Sequence, residues 1–395
     1  MAFDPDLATA HYMATLSPAA HAKATAYTQG GHWLLLWSCL ATVLASLVIL
    51  RSGILVRMCS RMSAGKPRRN LIAFCCALAF FVADWVLELP WSIYATWWRE
   101  RSYGLTMQAF GGWLGESAMS GAIGALIAGL LMIAVYALIR RMPRSWWIWS
   151  SGVAVVGVII VMLLAPILIE PLFNTYKPAP TGPVRSQVEA LAKAAGVPSD
   201  KILIFDGSRQ SERYTANVSG LFGSARIAMS DTMFKQGADI AEVRAVVGHE
   251  MGHYALHHAF WAALEVSLLA TLGFWLIDRL FPIVLRWSGA GPDVTGIGDP
   301  AGLPVLLIIW TILDLLLTPV TSGVTRLTEA QADRFSMQYA HEPDGLSRGL
   351  VKTIAYRASS PSPLEEVIFY DHPSVERRVH DAMVWKAQHP DLVGK

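Results

Sequence analysis

The chemistry of this chain is concentrated in His249-Glu250-Met251-Gly252-His253. Residues four apart share one face of a helix, so both imidazoles can reach a single metal ion while Glu250 turns toward an open coordination position. Upstream, residues 239–247 read as the start of a helix, with Asp239 as its cap and apolar residues at helical spacing. The five residues therefore sit where the chemistry needs them, and the pattern predicts a metallopeptidase.

A catalytic zinc of this kind takes three protein ligands and leaves a fourth position for water. A metzincin would carry Gly and His three and six residues past His253, but Leu256 and Ala259 stand there, which excludes that class. His257 and His258 read as an interfacial pair at the start of an apolar segment, because three successive ligands along one helix would diverge from a tetrahedral centre. The third ligand is expected from residues 325–333, a helical stretch whose spacings of three and four put Arg326, Glu329 and Asp333 on one face. Glu329 can bind the metal, Asp333 can accept the far ring N–H of a ligating histidine, and Arg326 is expected to support them from behind. Ala332 is small where two helices would have to approach.

The chain resembles the type I CAAX prenyl protease family of integral-membrane zinc metalloendopeptidases. The matching pieces are His249 to His253, the block Arg326, Glu329, Ala332 and Asp333, the strand-like Asn217-Val218-Ser219-Gly220, and the late run from Asp371 to Arg378. Residues 88–94 and 103–106 resemble the family's membrane region, so the likeness covers most of the chain. It implies that His249, His253 and Glu329 hold one zinc ion per chain and that Glu250 activates water. It also implies that His372 with Arg378 stabilises charge on the scissile carbonyl oxygen, the six-residue offset favouring Arg378 over Arg377. Asn217 is expected to contact substrate.

The elements that must position these residues are mostly apolar helices. Hydrophobic residues make up 53% of the chain and charged ones 16%, with 15 Trp, which points to a membrane enzyme rather than a soluble domain. Six stretches are long enough to span a bilayer, at residues 32–50, 71–89, 121–139, 147–169, 259–277 and 303–320. Asp84, Glu88, Glu265 and Asp314 fall inside them, and acids at that depth face protein or water, so a polar interior is expected. The fold class is thus a mainly α, polytopic membrane protein with a small α+β zinc-peptidase domain.

The chain divides into an N-terminal surface segment 1–31, a four-span region 32–173, a zinc-peptidase domain 174–258, a two-span hairpin 259–320 and a C-terminal catalytic segment 321–395. Pro178, Pro180 and Pro183 mark entry to the peptidase domain, where residues 183–195 predict a helix and 201–205 a strand. Residues 214–218 and 226–229 predict a hairpin across Gly220 to Gly223, whose sheet edge could hold an extended substrate. The span hairpin explains how ligands 76 residues apart can meet. Residues 1–31 lack the features of a signal peptide and are expected to be retained as a surface helix.

Four cysteines near the first two spans make neither a disulfide framework nor a thiolate zinc site. A net charge of +2 gives no case for nucleic acid, so the expected partners are the bilayer and a peptide or protein substrate. That substrate is either a prenylated C-terminal CAAX sequence or other membrane and misfolded proteins; a non-catalytic scaffold or transporter with structural zinc is the reading from another class. For sidedness two arguments conflict. Arg51, Arg57, Arg61, Lys66, Arg68, Arg69, Arg140, Arg141 and Arg144 put their loops in the cytoplasm, and six spans then place the zinc domain outside. The resemblance implies a cytoplasmic zinc domain, the placement expected here, and one further spanning or half-spanning segment, for example within residues 91–121, would bring the parity into line.

Overall fold

The computed structural model describes residues 3–63, 68–220, 226–235, 237, 239–290 and 293–394. After α1 (Pro5–Ala14), Ser17 caps α2 (Pro18–Ser52) by accepting from the Ala20 amide, and Pro18 occupies the first helical turn. Gly53, at φ +64°, ends α2 and leads into α3 (Ile54–Ser63). Three more long helices follow: α4 (Arg69–Ser102), α5 (Phe110–Arg141) and α6 (Trp146–Phe173). Beyond the peptidase domain come α9 (His258–Ser288) and α10 (Leu303–Ala340). With α2, these are six helices long and apolar enough to cross a membrane. Their number matches the expectation, while their ends differ.

Residues 18–31 are not a separate surface helix but the first turns of α2, with nothing to break the helix between them and the span. The Arg99 guanidinium lies against Gly30 and Gly31 of this helix. Pro90 does not end α4, whose hydrogen bonding shifts to a π-helical stretch at Ile93–Trp98 before the helix resumes. Residues 91–121 are used up in lengthening α4 and starting α5, so the additional span expected there is absent among the described residues.

The helices share two ends. At one, Leu50, Ile139, Trp146, Leu285, Ala290, Ala301 and Leu303 form one core, and Arg51 donates to the Ser288 carbonyl at 3.2 Å. At the other, the Glu212 amide donates to the Leu105 carbonyl at 3.0 Å and Arg213 binds Glu100 at 2.9 Å, which ties the α4–α5 turn to the peptidase domain. Within the apolar helices Asp84, Glu88 and Glu265 each bury one carboxylate oxygen without a hydrogen bond, whereas Asp314 is exposed.

The peptidase domain holds a four-stranded sheet ordered β1 (Tyr176–Pro178), β2 (Ile202–Phe205), β4 (Arg226–Ser230), β3 (Ala216–Ser219). β3 and β4 are antiparallel with Asn217 opposite Ala228, β2 and β4 are parallel, and β1 pairs antiparallel with β2. This is the predicted hairpin, although residues 221–223 of its turn lie outside the described residues, as does Lys66 of the basic loop. The short β1 was not anticipated; a three-residue edge strand ending in proline leaves almost no periodic signal. Against the sheet pack α7 (Pro183–Ala194) and α8 (Ile240–Ala255), burying Val188, Leu191, Ile227, Met229, Val243, Val247 and Met251. The chain ends in α11 (Pro343–Thr353), α12 (Pro363–Phe369) and α13 (Val375–Gln388), which with α1 cover the other side of α8 and α10.

Candidate metal centre and active site

Two helices make the centre, and small residues let them touch. A Cβ on Gly252 of α8 would lie 3.1 Å from the Ala332 Cα of α10, and one on Gly248 would lie 3.2 Å from Ser336 Oγ. Ser336 donates to the Ala245 carbonyl at 2.6 Å, and Arg244 to that of Ala340 at 2.9 Å, fixing the register. Asp239 caps α8 by accepting from the Ala241 and Glu242 amides at 2.9 and 3.2 Å.

This packing brings His249, His253 and Glu329 together, with one ligand atom from each within 4.8 Å of the others. His249 Nε2 is 3.2 Å from His253 Nε2 and 3.2 Å from Glu329 Oε2, while His253 Nε2 is 3.4 Å from Glu329 Oε1. Each imidazole hands its other nitrogen to a partner behind it. His249 Nδ1 donates to Asp333 at 2.9 Å. His253 Nδ1 meets His258 Nδ1 at 2.9 Å, and His258 Nε2 meets Gln331 Oε1 at 2.9 Å. Gln331 Oε1 can only accept, so His258 carries its proton on Nε2, accepts at Nδ1 from His253, and leaves His253 Nε2 as a bare lone pair. With both Nδ1 protons engaged from behind, the two Nε2 atoms and the Glu329 carboxylate converge on one point in the arrangement a bound cation requires. Glu329 Oε2, buried and without a well-aligned hydrogen bond, fits the same demand. The donor set of two imidazoles and one carboxylate, open on one side, suits a catalytic zinc.

His258 was read as an interfacial residue; the structure instead places it behind His253. What turns it there is His257 at φ +55°, which breaks the helix between α8 and α9. Gln331 and His258 carry no sequence signal of this pairing, since they are 73 residues apart. Arg326 also differs from expectation. Its guanidinium donates to the backbone carbonyls of Glu366, Val367 and Tyr370, so it holds the segment that carries His372 rather than the metal ligands.

Glu250 is half-buried beside the ligands, and burial pushes its carboxyl upward against the pull of His249 and His253. His249 loses solvent too, but its bonds to Asp333 and Glu329 outweigh that and hold it up at about 10. The acids around His249 thus favour a positive charge at this point. His372 Nε2 lies 3.2 Å from Glu329 Oε2, and its Nδ1 donates to Asp371 at 2.8 Å. Burial lowers the His372 pKa, opposed by Asp371. Of the two late arginines Arg378 is buried and Arg377 exposed. Arg378 binds both oxygens of Asp333 at 2.7 Å and stands 3.8 Å from Glu329, so its fork neutralises Asp333 instead of pointing freely at a carbonyl oxygen. Asn217, on the outermost strand β3, buries its Oδ1 with no hydrogen-bond partner.

The family Peptidase family M48 matches residues 178–386, and the family CAAX prenyl protease N-terminal, five membrane helices, matches residues 8–175. An uncharacterized metalloprotease, YhfN, of Bacillus subtilis is 26% identical over 85% of this chain and 79% of its own length. The CAAX prenyl protease 1 homolog of Arabidopsis thaliana is 26% identical over 86% of this chain and 81% of its own. CAAX prenyl protease 1 of Saccharomyces cerevisiae is 26% identical over 74% and 68%. The crystal structure of S. mikatae Ste24p superposes with a TM-score of 0.76 at 23% identity, covering 93% of this chain and 89% of that one, which establishes the shared fold.

Proposed function

The chain belongs to peptidase family M48 and is a membrane-embedded metalloprotease, and on that premise we propose that it is a zinc endopeptidase whose substrates include prenylated C-terminal CAAX sequences. The observation that carries the zinc reading is the convergence of His249 Nε2, His253 Nε2 and Glu329 with the second nitrogen of each imidazole occupied from behind. Those three side chains would hold the ion. When bound, zinc supplies Lewis-acid activation of water and of the scissile carbonyl.

The chain's own residues do the rest. Glu250, its basicity raised by burial, takes the proton from water and returns it to the departing amine. His372 adjoins Glu329 on the open side and is oriented by Asp371, so that in its doubly protonated form, with Nδ1–H held by Asp371, its Nε2–H can donate to the oxygen on which charge develops. Arg378 keeps Asp333 ionised and in place behind His249. A substrate segment laid along the outer side of β3 would extend the sheet, and Asn217 Oδ1, lacking a partner, would accept one of its N–H groups. A scaffold with structural zinc is not favoured, because Glu250 would then have no task.

Glu250→Gln tests the mechanism. The variant should keep one zinc per chain by metal analysis and lose on the order of a hundredfold or more in turnover; an active variant would refute the role of Glu250. The substrate reading takes support from the names of the relatives in Arabidopsis and yeast. Farnesylated and unmodified versions of one peptide should be cleaved at different rates, and indifference to the lipid would favour general membrane proteolysis. For sidedness, the basic residues Arg51, Arg57, Arg61, Arg68, Arg69, Arg140 and Arg141 lie at the membrane end opposite the peptidase domain. With six candidate spans among the described residues, the charge rule favours that end in the cytoplasm and the peptidase domain across the membrane from it, whereas the family resemblance favours a cytoplasmic peptidase domain. Protease protection of residues 174–258 in sealed vesicles of known orientation decides the matter.

A further inference from the structure

A cavity of about 450 Å³ opens beside His372, within the size range of ligand sites. Its wall comes from α2, the end of α4 and the loops around Arg213 and Arg357, and it carries three guanidinium groups: Arg99, Arg213 and Arg357. Two of them share one acid. Arg213 binds Glu100 Oε2 and the Tyr27 hydroxyl, both at 2.9 Å, and Arg99, buried over the Tyr27 ring, stands 3.9 Å from the same carboxylate. Asp371, the acid on the wall itself, is engaged by His372. Arg357 has no carboxylate within 4.0 Å among the described residues; its Nη2 is 3.3 Å from His372 Nε2. Arg213 and Arg357 lie on the same ring, Tyr356, with their guanidinium carbons 5.2 and 5.8 Å from its centroid. Three cations against two committed acids leave this half-enclosed space positive, and a confined positive field with an unsaturated guanidinium fork selects an anion of carboxylate shape.

We propose that this cavity is a substrate subsite that binds a carboxylate presented by the peptide on the leaving side of the scissile bond, with Arg357 as the principal contact and Arg213 beside it. The inference rests on the peptidase reading above and deepens it. His372 touches both Glu329 and Arg357, so the subsite begins next to the reacting centre. An extended chain covers at most about 3.3–3.6 Å per residue, which puts the recognised carboxylate within the first few residues beyond the cleaved bond. A free C-terminal carboxylate at that distance would restrict cleavage to the tail of a protein; an acidic side chain would provide the same group.

The test uses the full chain in detergent with zinc, carrying Glu250→Gln so that peptides are bound but not consumed. Two fluorescent peptides of one sequence without acidic residues, ending in the free acid or the carboxamide, are titrated by anisotropy. The acid should bind on the order of tenfold more tightly, and Arg357→Gln should bring the ratio of the two affinities toward one, with residual amide binding reporting that the variant is folded. Equal binding of acid and amide, or an Arg357→Gln variant that weakens both alike, overturns the subsite. An amide peptide with Glu as its last residue separates the two sources: recovered affinity assigns side-chain carboxylates to the subsite as well, and none confines it to the chain terminus. Wild-type protein that discriminates acid from amide in binding but cleaves neither would defeat the peptidase reading alone, whereas cleavage of both at equal rates with equal affinity would defeat the subsite alone.

Discussion

At the scale of single residues, the centre depends on where protons sit. His249 and His253 are useful to a metal only if their Nδ1 protons are drawn away, one by Asp333 and the other by the His258–Gln331 pair. His258→Ala should therefore weaken zinc by about 10–100-fold in competition with a chelator, although His258 is not a ligand. Asp333→Asn should show that loss and a second one, because Arg378 would be left buried with its counter-charge gone; a drop in folding stability of about 3–5 kcal/mol by denaturant titration is expected. If Asp333→Asn proves no less stable than His258→Ala, the ion pair with Arg378 is not what holds α13 to α10. His249, His253, Glu329 and Asp333 could be read from the sequence because helical spacing is a local signal. His258 could not, since its function depends on a left-handed turn at the preceding residue and on a partner far along the chain. Arg378 was legible as the inward arginine, but its commitment to Asp333 is a matter of packing.

At the scale of elements, α8 and α10 approach closely enough to share an ion because Gly252 faces backbone. Backbone cannot yield as a long side chain can, so Gly252→Val should push the helices apart, lower zinc occupancy and abolish turnover, as metal analysis and peptide hydrolysis would register. Gly323→Ala is the control within α10: its added methyl meets only the end of Arg326 at 3.5 Å, and a helix gains up to about 1 kcal/mol from the exchange. Comparable losses from the two substitutions would mean that the contact at Gly252 is not special. A metal held by His249, His253 and Glu329 would pin the same pair of helices, so a chelator should lower the melting temperature as well as stop hydrolysis, and added zinc should restore both. Most elements were legible, since apolar runs and an aspartate cap are strong periodic marks. Their ends were not: α2 starts 14 residues before the predicted span and α4 passes through Pro90, because apolarity records membrane depth and not where hydrogen bonding stops.

At the scale of the whole molecule, α10 is the feature with the widest reach. It runs from Leu303, at the end remote from the peptidase domain, to Ala340 beyond the metal ligands, about 57 Å at 1.5 Å per residue, and Pro319 does not divide it. Glu329 thereby rides on a rod whose other half packs among the apolar helices, with Leu303, Val305, Leu306 and Ile309 in their shared core. Lipid that is too thin or too thick for the apolar half can tilt such a rod, and tilt would carry the carboxylate away from two imidazoles anchored on a different helix. Reconstituted into phosphatidylcholines of increasing chain length, the protein should hydrolyse peptide fastest at one thickness and more slowly on either side. A rate that ignored thickness would mean that the rod is clamped by its neighbours; a peaked one would make the surrounding lipid a tuning element of the catalytic geometry.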